Sequence, residues 1–174
     1  IDIRNIHSLA DLKFIPTTSK SDMQEHNWDF LCVPDAEIKE YTSTSGTLGK
    51  PVTIALTEND LRRLAQNEHQ SFLCADGAPT DIYQLMLTLD RQFMAGMAYY
   101  MGIRQLGAAL VRSGPGLPSL QWDIISRLQA NSIVSVPSFI LKLIEWAHEH
   151  KIDLKHAPVQ KAICIGESLR NGDF

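Results

Sequence analysis

Residues 41–51 read YTSTSGTLGKP, and a β-branched run, VTI, follows at residues 52–54. Glycines allow the backbone to turn tightly, and they allow an anion to come close to its N–H groups. The hydroxyl side chains and Lys50 add further hydrogen-bond donors, and the stretch contains no carboxylate. The glycine loop, defined here as residues 44–51, therefore suits a polyphosphate group.

Two other interpretations of the glycine loop were weighed. The Walker A pattern G-x-x-x-x-G-K-[ST] does not fit, because only two residues separate Gly46 from Gly49 and Pro51 stands at the Ser/Thr position. A Ser/Thr/Gly-rich hairpin turn stays open as an alternative. The residues on both sides, 38–42 and 52–55, have the β-branched and aromatic content typical of strands.

The glycine loop resembles the (S/T)SGTTGKP phosphate loop of adenylate-forming enzymes, the superfamily of acyl-CoA synthetases and luciferases. Residues 44–51 read TSGTLGKP, so Leu48 stands where the family has its second threonine. The resemblance implies that the nucleotide phosphates contact Thr44, Ser45, Gly46, Thr47, Gly49 and Lys50.

The composition is that of a globular protein large enough for one hydrophobic core, with 174 residues, 44% apolar and 21% charged. The net charge of −4 and the lack of interleaved aromatic and basic residues argue against a nucleic-acid partner. There is no apolar run of the ~20 residues that a membrane span needs, and we expect no signal peptide. Three scattered cysteines without CxxC spacing indicate reduced thiols in a cytoplasmic protein.

His148 and His150 lack the spacing of a helical metal pair, so no metal site is predicted.

The chain divides into a lid-like segment of short helices and turns, 1–40, and an α/β subdomain that binds nucleotide and acyl group, 41–174. Ser8 with Asp11, and Ser19 with Asp22, have the spacing of capping boxes. Residues 9–23 also resemble the "SLEDL…LPFTTKADL" opening of the phenylacetate-CoA ligase branch of the superfamily. The chain begins at Ile1 and stops at Phe174 after a glycine-containing turn, so we expect a fragment.

The second part alternates between strand and helix patterns, which predicts an α/β fold with a mainly parallel sheet and helices on both faces. This matches part of the large N-terminal domain that the family resemblance implies. Predicted strands cover 82–87, 108–111, 132–136 and 161–165, and predicted helices cover 93–106, 118–130 and 139–148. Another helix follows the Thr57–Asp60 capping box, with Leu61, Leu64, Ala65, Phe72 and Leu73 predicted to be buried and Arg62, Arg63, Glu68 and His69 to face solvent. Ligands of such sheets bind beyond the carboxyl ends of the strands.

Three strand ends carry further family resemblance. Residues 161–169, KAICIGESL, resemble the "GAEP" or "GGE" turn, which implies adenine contacts at Gly166, Glu167 and Ser168; a plain left-handed turn is the alternative. Residues 135–139, SVPSF, resemble the "TPSY" segment, although a proline that starts a helix explains them equally well. Residues 87–96 resemble the "YGYGLFTGG" stretch that lines the aryl-acid pocket. The acyl pocket is thereby assigned to Thr88, Phe93, Gly96, Pro137 and Ser138.

Thr88, Asp90 and Arg91 depart from this family stretch, which has Tyr, Tyr and Gly at the corresponding positions. Two interpretations of the new charges stay open. Asp90 and Arg91 form a surface pair that never touches substrate, or Arg91 lies at the pocket's edge and admits a larger or more polar acid than phenylacetate. An unpaired buried charge is excluded on energetic grounds.

The resemblance implies an ATP-dependent ligase that converts an aryl or arylacetic acid to an acyl-adenylate and transfers the acyl group to coenzyme A, with Mg²⁺ as counter-ion. The partners are thus a small-molecule carboxylic acid, ATP and coenzyme A, and a homodimer is a possible assembly. No catalytic residue is assigned, because the family's ribose-binding aspartate and C-terminal lysine have no counterpart here. Alternatives are an acyl-protein synthetase type of adenylating enzyme and a nucleotide- or acyl-binding module without chemistry.

Overall fold

The computed structural model describes residues 3–44 and 49–168. The chain opens with short helical elements, as predicted: 3₁₀ turns at Ile3–Asn5, Leu9–Phe14, Asn27–Phe30 and Asp35–Glu37, and helix α1 at Lys20–Glu25. The Asp11 carboxylate accepts a hydrogen bond from the Ser8 backbone at 2.8 Å, and the Asp22 carboxylate accepts one from the Ser19 backbone at 2.7 Å. Both capping boxes are therefore present, and they fix where these short helices begin.

Strands β1, Ile38–Ser43, and β2, Thr53–Thr57, form an antiparallel pair in which Ser43 lies opposite Thr53. The pairing extends one step further, since the Thr44 N–H donates to the Val52 carbonyl at 3.0 Å. The Val52 N–H in turn donates to the Thr44 hydroxyl at 3.0 Å. The glycine loop thus connects two paired strands, an arrangement that both the phosphate-loop and the hairpin interpretation predict.

The larger sheet has four strands in the order β4-β3-β5-β6, and all of its pairs are parallel. Along the chain, the elements are α2, Glu58–Cys74; β3, Ile82–Leu85; α3, Met94–Leu106; β4, Ala109–Arg112; α4, Pro118–Leu128; β5, Ser132–Ser135; α5, Pro137–Glu149; a 3₁₀ turn, Leu154–His156; and β6, Lys161–Cys164. The bounds of the predicted strands and helices lie within two residues of these. The predicted α/β class with a parallel sheet is confirmed.

Alternation along the strands divides the core between the two faces of the sheet. Tyr83 and Leu85 of β3 pack with Phe72 of α2 and Ile103 of α3. On the opposite face, Met86 and Ile133 pack with residues of α4 and α5. Because successive strand side chains point to opposite faces, each face receives its own apolar layer, and helices cover both.

Helix α2 differs from the sequence prediction in the face that it buries. Leu73, predicted to be buried, is 45% exposed, while Glu68 and His69, predicted to face solvent, are half-buried. The cause is Gly102 of α3, where an added Cβ would overlap the Glu68 Cβ and lie 3.1 Å from the His69 backbone nitrogen. The two helices approach so closely at this glycine that the turn carrying Glu68 and His69 lies in their interface. The prediction for these residues was wrong.

Candidate functional site

The predicted acyl-pocket and adenine-binding residues follow the carboxyl ends of three parallel strands. Thr88 comes after β3, Ser138 is the second residue of the helix that follows β5, and Gly166 comes after β6. Parallel strands end at one edge of their sheet, so these segments share that edge. This is where ligands of open α/β sheets bind.

The glycine loop is described only at its two ends. Ser45, Gly46 and Thr47, three of the six predicted phosphate contacts, lie outside the described residues. Thr44 is held by its bonds to Val52, as above. Gly49 and Lys50 are exposed, and the Lys50 carbonyl accepts a hydrogen bond from Gln24 Nε2 at 2.5 Å. A Cβ on Gly49 would lie 3.0 Å from the same Gln24 nitrogen, so this arm of the loop packs against α1.

Asn27 makes a second connection between the first segment and the loop's returning arm. Its side-chain amide donates to the Thr53 carbonyl at 2.7 Å and accepts from the Thr53 N–H at 2.7 Å. An amide that pairs with both backbone groups of one residue imitates a neighbouring strand. The first segment is therefore docked on β2 directly after the glycine loop. Sequence reasoning missed both Gln24 and Asn27, since neither belongs to a motif.

Thr88 and Gly96 are in direct contact, because a Cβ at Gly96 would overlap the Thr88 carbonyl oxygen. The Thr88 hydroxyl donates to the Asp90 carboxylate. This bond, with Arg91 as a weaker contributor, holds the pKa of Asp90 below its usual value. Arg91 Nε lies 3.8 Å from the Asp90 carboxylate, and the two side chains are 87% and 71% exposed. Asp90 and Arg91 therefore form a surface pair in this structure.

An open groove of about 680 Å³ separates the segments that follow β3 and β4. Thr88, Asp90 and Arg91 line it on one side, and Arg112 and Ser113 on the other. Phe93, Gly96, Pro137 and Ser138 are not among its lining residues. The structure thus brings Thr88 into contact with Gly96, and it places Pro137 and Ser138 at the start of α5 beyond β5.

The turn after β6 contacts the start of α5. Gly166 has a φ of +74°, in the left-handed region that favours glycine. The Glu167 carboxylate accepts hydrogen bonds from the Ser138 N–H at 2.9 Å and from the Ser138 hydroxyl at 2.8 Å. These two bonds hold the pKa of Glu167 below its usual value. Gly166, Glu167 and Ser168 are all exposed, and Glu167 joins the predicted adenine turn to Ser138 of the predicted acyl pocket.

One further contact joins the end of β1, next to the glycine loop, to the segment after β3. The Ser43 N–H, at the end of β1, donates to the Gln92 carbonyl at 3.1 Å. Arg91 and Gln92 both have positive φ, +57° and +58°, which non-glycine residues rarely adopt. No signal in the sequence points to Gln92, because it contributes through its backbone.

No metal centre is present among residues 3–44 and 49–168, where no three His, Cys, Asp or Glu side chains cluster suitably for an ion. Within the same residues, no helix has the length and apolar character to cross a membrane.

The amino-acid sequence matches no family model. It is 30% identical, over 81% of its length, to a phenylacetate-coenzyme A ligase of Escherichia coli K12, of which it covers 32%. It is 26% identical, over 96% of its length, to a phenylacetate-coenzyme A ligase of Thermus thermophilus, of which it covers 38%. The chain thus spans about a third of the length of these curated relatives.

Solved structures share the fold. A 2-hydroxyisobutyryl-CoA ligase, in complex with 2-HIB-AMP and CoA, superimposes with a TM-score of 0.78 at 21% identity, over 92% of this chain and 36% of that one. An anthranilate CoA ligase in complex with anthranoyl-AMP has a TM-score of 0.55 at 18% identity, over 92% of this chain and 27% of that one. Along most of its sequence this chain is similar to phenylacetate-coenzyme A ligases, of which it spans about a third, and it shares its fold with part of two other CoA ligases.

Proposed function

We propose that the whole protein is an AMP-forming acid–thiol ligase that activates an aryl or arylacetic acid with ATP and transfers it to coenzyme A. The observation that carries this is the similarity over most of the chain to phenylacetate-coenzyme A ligases. The fold shared with CoA ligases supports it. So does the meeting of the segments after β3, β5 and β6 at one edge of the sheet.

In the first step, a carboxylate oxygen attacks the α-phosphate of ATP, and the bond to the bridging oxygen of the β-phosphate breaks. Acyl-adenylate and pyrophosphate form, and negative charge develops on the departing β- and γ-phosphates. Fixed N–H and hydroxyl donors stabilise such charge, and a hydrogen bond to a charged group is worth about 1.5–3 kcal/mol. We assign this role to Ser45, Gly46, Thr47 and Gly49, with Thr44 and Lys50 contributing less.

In the second step, the coenzyme A thiol attacks the acyl carbonyl, a C–S bond forms, the bond to AMP breaks and the thiol proton is released. No described residue of this chain is assigned to that step. Residues 41–174 would hold the nucleotide and the acyl group, with the adenine against the turn at 166–168 and the acid near Thr88, Phe93, Gly96, Pro137 and Ser138. Residues 1–40 would act as the lid-like segment.

The three cysteines, Cys32, Cys74 and Cys164, are free thiols in the structure, which supports the cytoplasm as the location we propose. The substrates are small molecules, and neither nucleic acid nor membrane is among the proposed partners. A homodimer stays a hypothesis, to be tested by light scattering of the whole protein.

The function is tested by ATP–pyrophosphate exchange with the whole protein against a panel of aryl, arylacetic and aliphatic acids. Acid-dependent exchange with an aryl acid, followed by thioester formation when coenzyme A is added, is the expected result. Adenylate formation without transfer to coenzyme A would favour an acyl-protein synthetase. No exchange with any acid would favour a binding module without chemistry.

A protein of these 174 residues alone is expected to release no pyrophosphate, because it spans about a third of the relatives' length and positioning of both reactants supplies much of such a rate. The same exchange assay measures this. Acid-dependent release by the 174-residue protein would contradict it.

A further inference from the structure

The first turn of α5 lacks a local cap. Its N-cap residue, Val136, has no side-chain acceptor, and no side-chain cap is formed there. Pro137, at the first helical position, has no N–H, which leaves the Ser138 N–H as an early donor without an intrahelical partner. The Glu167 carboxylate fills this place from 29 residues further along the chain, at 2.9 Å.

The two segments after β5 and β6 also run side by side. The Ile165 N–H donates to the Ser135 carbonyl at 3.0 Å, one step beyond the last strand pair. A Cβ on Gly166 would lie 3.5 Å from Val136 Cγ1, an ordinary contact distance. The left-handed turn at Gly166 is therefore held on one side by the end of β5, through Ser135, and on the other by the start of α5, through Ser138.

Both carboxylate oxygens of Glu167 are engaged, one by the Ser138 N–H and the other by its hydroxyl. A carboxylate at the N-terminus of a helix is favoured by the helix dipole as well as by these donors. The interaction would be lost if the side chain turned outward to bind a ligand. Gly166 and Ser168, on either side of Glu167, are exposed residues.

We propose that Glu167 is a positioning residue: its carboxylate anchors the Gly166 turn to α5 through Ser138 and does not contact the adenine. The inference rests on the proposed function, which places adenine at the turn. In the alternative role, the Glu167 carboxylate would accept a hydrogen bond directly from the exocyclic amine of the adenine.

The test compares ATP with inosine triphosphate, whose base has an oxygen in place of the exocyclic amine, in pyrophosphate exchange by the whole protein. Glu167→Ala should lower kcat/KM by about tenfold with both nucleotides, since a hydrogen bond to a charged group is lost. Ser138→Ala should lower both by a smaller, equal factor. The double variant should lose no more than Glu167→Ala alone, and Glu167→Gln, whose amide oxygen can still accept from the Ser138 N–H, should recover most of the activity.

A loss in Glu167→Ala that is much larger with ATP than with inosine triphosphate would overturn the inference, because it would mean direct contact with the amine. Additive losses in the double variant, or no loss in Glu167→Ala, would overturn it too. The matched control is Glu149→Ala, at an exposed position at the other end of α5. It should leave kcat/KM unchanged with both nucleotides. If the unmodified protein catalyses no exchange with any acid, the proposed function has failed, which is a different result from ATP-selective loss.

Discussion

The two ends of the parallel sheet use similar chemistry in opposite environments. At the amino end, Asp81 is 4% exposed and accepts bonds from Lys161 Nζ at 2.7 Å, the Ala78 N–H at 2.8 Å and Asn131 Nδ2 at 2.9 Å. At the carboxyl end, Glu167 also joins two elements through its carboxylate, but it is exposed. The amino end is closed by a buried carboxylate with three donors, whereas the linking carboxylate at the carboxyl end lies on the exposed surface.

This difference predicts that substitutions at the amino end change stability and substitutions at the carboxyl end change activity. The largest expected effect is that of Asp81→Ala, which leaves Lys161 and two part-buried donors, the Ala78 N–H and Asn131 Nδ2, without their acceptor. Breaking a buried ion pair in this way costs about 3–5 kcal/mol, measured as the free energy of unfolding in urea. The control is Asp123→Ala, which breaks the exposed pair with Arg127 and should cost less than about 1 kcal/mol. Equal losses in the two variants would contradict the comparison.

The Asp81 contribution should also depend on pH. Burial raises the pKa of this carboxyl, but the bonds from Lys161, Ala78 and Asn131 together outweigh burial, so its pKa lies below the usual value. A carboxyl with a lowered pKa stabilises the fold fully above the unfolded pKa, which is about 4, and loses this contribution as the pH falls through the folded value. The stability difference between the unmodified protein and Asp81→Asn should therefore narrow below about pH 4. A difference that stays constant down to pH 2 would show that charge is not involved.

The largest effect at the carboxyl edge is expected from Ser45→Ala combined with Thr47→Val in the whole protein. If both hydroxyls donate to phosphate, the adenylation rate should fall by about 100-fold or more, at 1.5–3 kcal/mol for each bond. Affinity for the carboxylic acid should change little, since the hydroxyls are assigned to the phosphates. Single-turnover kinetics measure the adenylation rate, and equilibrium binding measures the affinity for the acid. Equal losses in rate and in acid affinity would move the role of the loop elsewhere.

A structural feature could be predicted from the sequence when the residues that form it are close together in the chain. The capping box of Thr57 and Asp60 forms as predicted, with the Asp60 carboxylate accepting from the Thr57 N–H at 2.9 Å, because it depends on two residues three apart. The strands and helices around the sheet follow from periodicity in the same way. Periodicity did not predict which face of α2 is buried, because Glu68 and His69 are half-buried by the close approach of Gly102 on another helix.

The candidate site shows the same limit. That its segments would follow strand ends could be predicted from the strand–helix alternation. The contacts that join these segments could not, because they pair side chains with backbone groups far along the chain, as Asn27 does with Thr53 and Glu167 with Ser138. No pattern of neighbouring residues records a partner 26 or 29 positions away.

A smaller effect is expected from Asn27→Ala, which removes both bonds between the first segment and Thr53. The Thr53 backbone groups are part-buried there, so the loss should be about 2 kcal/mol, at roughly 1 kcal/mol for each neutral bond. Hydrogen exchange should show faster exchange of the Thr53 and Val52 amides, with the amides of β5 and β6 unaffected. The control is Asn67→Ala on the exposed side of α2. Uniform acceleration across the sheet would indicate global destabilisation, contrary to a local role.

The smallest effect is expected from Arg91→Gly, which restores the glycine of the family pattern. At a φ of +57°, glycine relieves about 1 kcal/mol of backbone strain in the folded state. It also increases the conformational entropy of the unfolded chain, which destabilises the fold by about 0.4–1 kcal/mol. The two terms nearly cancel, so stability should change by less than about 1 kcal/mol. Gln92→Gly, at a φ of +58°, makes the same backbone change without removing a charge and is the matched control.

The same variant decides between the two interpretations of Arg91. Because its side chain is 87% exposed and lies beside Asp90, we expect the whole protein and its Arg91→Gly variant to rank phenylacetate, hydroxylated and longer aryl acids identically by kcat/KM. A shift of the ranking towards phenylacetate in Arg91→Gly, absent in Gln92→Gly, would mean that Arg91 reaches the acid from the groove it lines. The groove after β3 would then be part of the acyl pocket, and Arg91 would select for larger or more polar acids.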